Sequence, residues 1–105
     1  MIIRENIHQK YKGHCAYCGK IIDIKEMQIN HILAKKNGGT DDFSNLNPSC
    51  RRCNHYKRGL NLEDFRKFIK TLHERLESDH ITKGAMDYGI ANIKPFDGKF
   101  YFEKI

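Results

Sequence analysis

At 105 residues, 39% hydrophobic and 30% charged, with a mean hydropathy of −0.70, the chain has material for one domain and a small core. Its longest apolar runs are three residues, against the roughly 20 needed to cross a bilayer, which excludes a membrane-spanning helix. Lys and Arg number 19 against 13 Asp and Glu, a net charge of +6, and the whole excess lies in residues 1–60. A basic surface of this kind suits a polyanionic partner. The start, Met1-Ile2-Ile3-Arg4-Glu5, carries no apolar h-region. An intracellular, cytoplasmic location is therefore expected, and structural disulfides are rare there.

In chain order, Ile3, Ile7 and Tyr11 recur every four residues as one helix stripe that Gly13 would end. Cys15-Ala16-Tyr17-Cys18-Gly19 reads as a tight knuckle. Met27 to Leu33 reads as a strand with Met27, Ile29 and Leu33 on one side. Asn37-Gly38-Gly39-Thr40 is a loop. Asn47 has the character of an N-cap and Pro48 of a first helical residue, so a helix is expected from Pro48 to Arg58, stopped by Gly59. A longer helix follows, capped by Asn61, with Leu62, Phe65, Phe68, Ile69, Leu72 and Leu76 as a core-facing stripe that supplies most of the remaining core. Met86 to Ile93 reads as a short helix, Asp97-Gly98 as a turn and Phe100 to Phe102 as a short strand.

Cys15 and Cys18 form one C-x-x-C, and Cys50 and Cys53 a second, 31 residues further on. Two knuckles offer four thiolates, the set that closes a tetrahedral zinc site. The gap exceeds that of a zinc ribbon and has room for a strand, a loop and a second strand. A redox pair would ordinarily stand as one C-x-x-C beside a βαβ pattern, and two disulfides would need an oxidising compartment. A closed four-cysteine site has no open position, so its zinc folds the chain and does no chemistry.

Between and within the knuckles the chain reads Asn30-His31-Ile32-Leu33, then Gly38-Gly39-Thr40-Asp41-Asp42, then Asn45-Leu46, then Cys50-Arg51-Arg52-Cys53-Asn54-His55-Tyr56-Lys57. Over about residues 10–60 this order resembles the HNH endonuclease family, in the branch with two zinc knuckles and as an H-N-N variant. The resemblance implies a small α+β fold. Its core would be a ββα-metal (His-Me finger) unit stapled by the four-cysteine zinc site and flanked by helices. One domain would span 1–105, with the zinc-bound core at 10–60 and a supporting helix and short strand at 61–105.

The resemblance also implies roles. His31 matches the general base and Asn45 the residue that holds the loop and orients the histidine. Asn54 matches a ligand of a catalytic divalent cation, Mg2+ or Mn2+ by the preference of hard ions for oxygen. Asn30 stands where Asp or His is usual, and its amide oxygen brings no charge to that cation; His55 is a substitute ligand. Neighbours on a strand face opposite ways, so Asn30 and His31 reach one site only where the strand ends or kinks. A regular strand through both would count against this.

Along the expected helix, Arg51, Asn54, His55 and Arg58 fall within one arc of about 100°. Arg51, Arg52, Lys57 and Arg58, with Lys35 and Lys36, are the expected phosphate contacts. Tyr17 and Tyr56 are expected to pack near the zinc rather than stack on bases. The implied activity is DNA phosphodiester hydrolysis, nicking one strand at a time. Double-strand cleavage would call for a homodimer or for two events. The competing reading is a non-catalytic, zinc-stabilised nucleic-acid-binding module whose metal site has degenerated, and Asn30 is the feature that favours it.

Overall fold

The computed structural model describes residues 3–105. The short helix α1 (Arg4–Gln9) buries Ile7 completely. The chain then turns through Gly13 (φ +82°) into the first knuckle. Strands β1 (Gln28–His31) and β2 (Leu46–Ser49) form a two-stranded antiparallel sheet, pairing Ile29 with Pro48, Asn30 with Asn47 and His31 with Leu46. Helix α2 (Arg51–Lys57) follows, then α3 (Leu62–Ser78) and α4 (His80–Asp87). This is the expected small α+β architecture, with β1, β2 and α2 in ββα order. Among the described residues no helix is long and apolar enough to cross a membrane.

The core gathers around the cysteines. Ile7, Ala16, Tyr17, Ile22, Met27, Leu46, Phe65 and Phe100 are buried with Cys15, Cys50 and Cys53. Tyr17 meets Phe65 and Phe100 edge-on, with ring centroids 5.3 Å apart in each pair. The C-terminal tail closes over this cluster. Tyr101 N–H donates to the Tyr17 carbonyl and Phe102 N–H to that of Ala16, and Arg66 ties the tail to α3 through Glu103.

Four expectations are corrected. Residues 46–49 are a strand, so the helix does not start at Pro48; Cys50 is the N-cap of α2, its sulfur accepting from Cys53 N–H. Proline lacks a donor but is tolerated in a strand that needs none there, and the Pro48 carbonyl accepts from Ala16 N–H at 2.9 Å. The left-handed residue that stops α2 is Arg58 (φ +51°), ahead of Gly59. The last helix occupies 80–87, not 86–93, because Asp79 caps it by accepting from Thr82 N–H. Tyr101–Glu103 is a 3-10 turn rather than a strand.

Helix α3 forms as read. Asn61 caps it by accepting from Asp64 N–H at 2.8 Å. Of its stripe, however, only Phe65 is fully buried, and Leu76 is exposed. The remaining core comes from the knuckles and from Phe100 of the tail. Leu33 is likewise exposed, since β1 ends at His31.

Candidate metal and active site

The two C-x-x-C knuckles converge. The four sulfurs lie within 4.8 Å of one another, and Cys18 Sγ is 3.9 Å from Cys50 Sγ. A tetrahedral zinc with Zn–S near 2.3 Å sets its sulfurs about 3.8 Å apart. The donor set therefore fits zinc in kind, number and spacing. Backbone N–H groups of Cys50 and Cys53 point at Cys15 Sγ and Cys50 Sγ, each at 3.4 Å, as support for thiolate charge. Hydrogen bonds from Cys18 and Cys53 hold the Cys15 thiol far below its ordinary range. Facing Cys15 pushes Cys18 up to about 11 and raises Cys53 strongly. The Cys15 thiolate thus disfavours ionisation of Cys18 and Cys53, an opposition that a bound dication would relieve.

Beside β1, Ile29, Asn30, His31, Ala34, Lys35, Asn54 and Arg58 line an open hollow of about 280 Å³. β1 pairs regularly through Asn30 and His31, so the expected kink is absent; the strand ends at His31. Asn30 is buried, while the His31 side chain is 29% exposed. His31 Nε2 lies 2.8 Å from Asp41 Oδ1, and Lys35 Nζ donates to the other Asp41 oxygen at 2.9 Å. These two partners hold the Asp41 carboxyl below its ordinary range. An ionised Asp41 only accepts, so Nε2 carries the proton and the lone pair of His31 stands on Nδ1. Asp41 had no assigned role in the sequence; the signal was its place two residues past a Gly-Gly loop that returns to β1.

Asn45 is the staple of that loop. Its Oδ1 accepts from Leu33 N–H at 2.9 Å, and its Nδ2 donates to the carbonyls of Leu33 and Thr40 at 3.0 and 2.8 Å. Gly39 lets the loop close, since a Cβ there would stand 1.7 Å from the Leu33 carbonyl oxygen. Asn45→Ala loses three hydrogen bonds and is expected to cost about 2 kcal/mol, read as a lower urea midpoint at unchanged slope.

Asn30 and Asn54 touch: Asn30 Nδ2 donates to Asn54 Oδ1 at 3.0 Å. Their carboxamides suit a hard cation by chemistry and lie together beside His31. His55 is exposed and lines the neighbouring hollow with Gln28, Arg51 and Asn54. The basic residues divide. Lys35 and Arg58 line the His31 hollow, and Arg51 lies next to it, paired with Glu26 at 3.3 Å. Lys36 lies across Gly59, and Arg52 lines a separate hollow with Lys20.

Lys57 is a correction. It is fully buried, and its Nζ donates to the carbonyls of His31 and Ile32 at 2.9 and 3.0 Å, so it is a strut and not a phosphate contact. Burial lowers the pKa of its ammonium group. Tyr17 is buried in the aromatic cluster, as expected, and Tyr56 packs against Phe68.

Comparison with known families agrees with this geometry. No curated protein matches the chain. Residues 15–58 match the family model described as HNH endonuclease, a span that opens at the first knuckle cysteine and closes at the arginine ending α2. The segment 15–58, with its paired knuckles and ββα order, is similar to the HNH endonuclease family.

Proposed function

We propose that the chain is one domain acting as a metal-dependent DNA endonuclease, with His31 as general base, a structural zinc on Cys15, Cys18, Cys50 and Cys53, and Asn30 and Asn54 toward a catalytic Mg2+ or Mn2+. One observation carries the reading. His31, Asn54, Lys35 and Arg58 share one open hollow, and the histidine is held through Nε2 so that Nδ1 is the basic atom. Water has a pKa near 15.7 and needs a base; an imidazole with an ordinary pKa of about 6.5 can take its proton at neutral pH. Asp41 holds the tautomer and steadies the imidazolium that forms. Lys57 fixes the His31 backbone from below, and Asn45 fixes the loop that carries Asp41. Lys35 and Arg58 would bind phosphates beside the cut, positioning DNA without reading its sequence. When bound, the cation supplies charge to the phosphate and the leaving oxygen.

A second reading keeps one observation of its own. Asn30 Oδ1 is occupied by the Tyr17 hydroxyl at 2.7 Å, and the nearby carboxylate of Asp41 is engaged by His31 and Lys35. A module of this kind would bind nucleic acid through its zinc-stapled frame without cutting it. The two readings separate on one gel. Zinc-loaded protein, supercoiled plasmid and Mg2+ or Mn2+ are expected to give nicked circles. Plasmid shifted in mobility but intact under every divalent ion would establish the binding module instead.

A further inference from the structure

Both ends of the buried Asn30 carboxamide are held. Its Oδ1 accepts from the Tyr17 hydroxyl at 2.7 Å, and its Nδ2 donates to Asn54 Oδ1 at 3.0 Å. Behind Tyr17, Asn47 Nδ2 approaches the phenol oxygen at 3.5 Å. Asn47 is itself fully buried, and its Oδ1 is the one buried side-chain polar atom without a partner among the described residues. The four side chains thus make a directed chain, from Asn47 to Tyr17 to Asn30 to Asn54. In this direction Asn30 turns an N–H toward Asn54 and its oxygen away.

A hydroxyl can donate and accept, and a carboxamide reverses its polarity by turning end for end. If Asn47 turns so that its free oxygen meets Tyr17, the phenol proton can move there. Tyr17 then accepts from Asn30 Nδ2, and Asn30 Oδ1 faces Asn54. Only in this second direction do Asn30 and Asn54 both offer oxygen to a cation.

We propose that Tyr17 is a positioning residue whose hydroxyl decides which end of Asn30 faces Asn54, and so whether the hollow accepts a divalent cation. The inference rests on the reading of Asn30 and Asn54 as a cation site. Tyr17 is placed for the task. It sits inside the first knuckle, and its ring is packed edge-on against Phe65, Phe100 and Phe102, so it cannot follow Asn30 as the amide turns.

The test is Mn2+ affinity of the zinc-loaded full chain, measured by electron paramagnetic resonance of free Mn2+. Wild type is compared with Tyr17→Phe, Asn30→Asp and the double variant. A carboxylate has an oxygen at both ends, so orientation stops mattering once aspartate is introduced. Asn30→Asp should tighten Mn2+ binding by about tenfold, and Tyr17→Phe about fivefold in the wild-type background but less than about twofold beside Asn30→Asp. No change or weaker binding for Tyr17→Phe alone, or the same change in both backgrounds, overturns the inference and leaves the cation site standing. Absence of Mn2+ binding in wild type and Asn30→Asp alike overturns the cation site itself. A readout on the unaltered protein guards against misfolding of a variant. Titration with Mg2+ should shift the side-chain amide NMR signals of both Asn30 and Asn47; a shift confined to Asn54 contradicts the proposal.

Discussion

Stripping the proposed zinc is expected to unfold the whole chain, not merely its first half. Cys15, Cys50 and Cys53 are themselves part of the core. The first knuckle carries Ala16 and Tyr17, whose carbonyls hold the C-terminal tail through Phe102 and Tyr101. Phe65 of α3 and Phe100 of the tail both pack on the Tyr17 ring. Loss of the knuckle therefore releases α3 and the tail together. Structural zinc contributes apparent folding free energy of about 10–16 kcal/mol in small modules, which exceeds the ~5–15 kcal/mol net stability of a typical domain. Circular dichroism should show helix signal lost on chelation and regained with added Zn2+ but not Mg2+. Cys53→Ala should behave as the chelated protein does. A melting curve unchanged by chelation would remove zinc from the account.

Lys57→Met is expected to cost about 2 kcal/mol, more than a surface lysine could, because it leaves two part-buried carbonyls without donors. Those carbonyls belong to His31 and Ile32. The methionine fills the lysine stem but cannot donate, so the loss reads out the ammonium group itself. Chemical denaturation should show a lower midpoint. Nicking by the fraction that remains folded should also fall, since the strut lies directly under the base. Arg52→Ala is the contrast: Arg52 is exposed and lines another hollow, so stability should change by less than about 0.5 kcal/mol.

Legibility followed locality. Helix α3 and its Asn61 cap were readable because stripe and cap lie within one stretch of chain. The convergence of the two C-x-x-C knuckles was readable because their spacing carries its own order. Pro48 was misread because Asn-Pro before a polar run is a good local helix start. The pairing that makes it a strand comes from Ile29, nineteen residues earlier. Phe100–Phe102 looked like a strand, and its N–H groups do meet carbonyls of another segment, yet the backbone curls into a 3-10 turn. Lys57 looked like part of a basic face because one turn of helix shows which residues align but not what covers them. Asp41 and Tyr17 needed the closed loop and the folded knuckle before their hydrogen bonds to His31 and Asn30 could exist. The parts missed were therefore those made by distant contacts.

In the proposed function this hollow hydrolyses DNA with His31 as its base. Its most direct measurement is the nicking rate of supercoiled plasmid by wild type and His31→Ala, both with full zinc occupancy, in Mg2+ or Mn2+ and without chelator. His31 is partly exposed and makes one side-chain hydrogen bond, to Asp41, so its loss should leave the fold intact. Divalent-dependent nicking by wild type is expected, with a rate about 10²- to 10⁴-fold lower in His31→Ala. Equal nicking rates for the two proteins would contradict it.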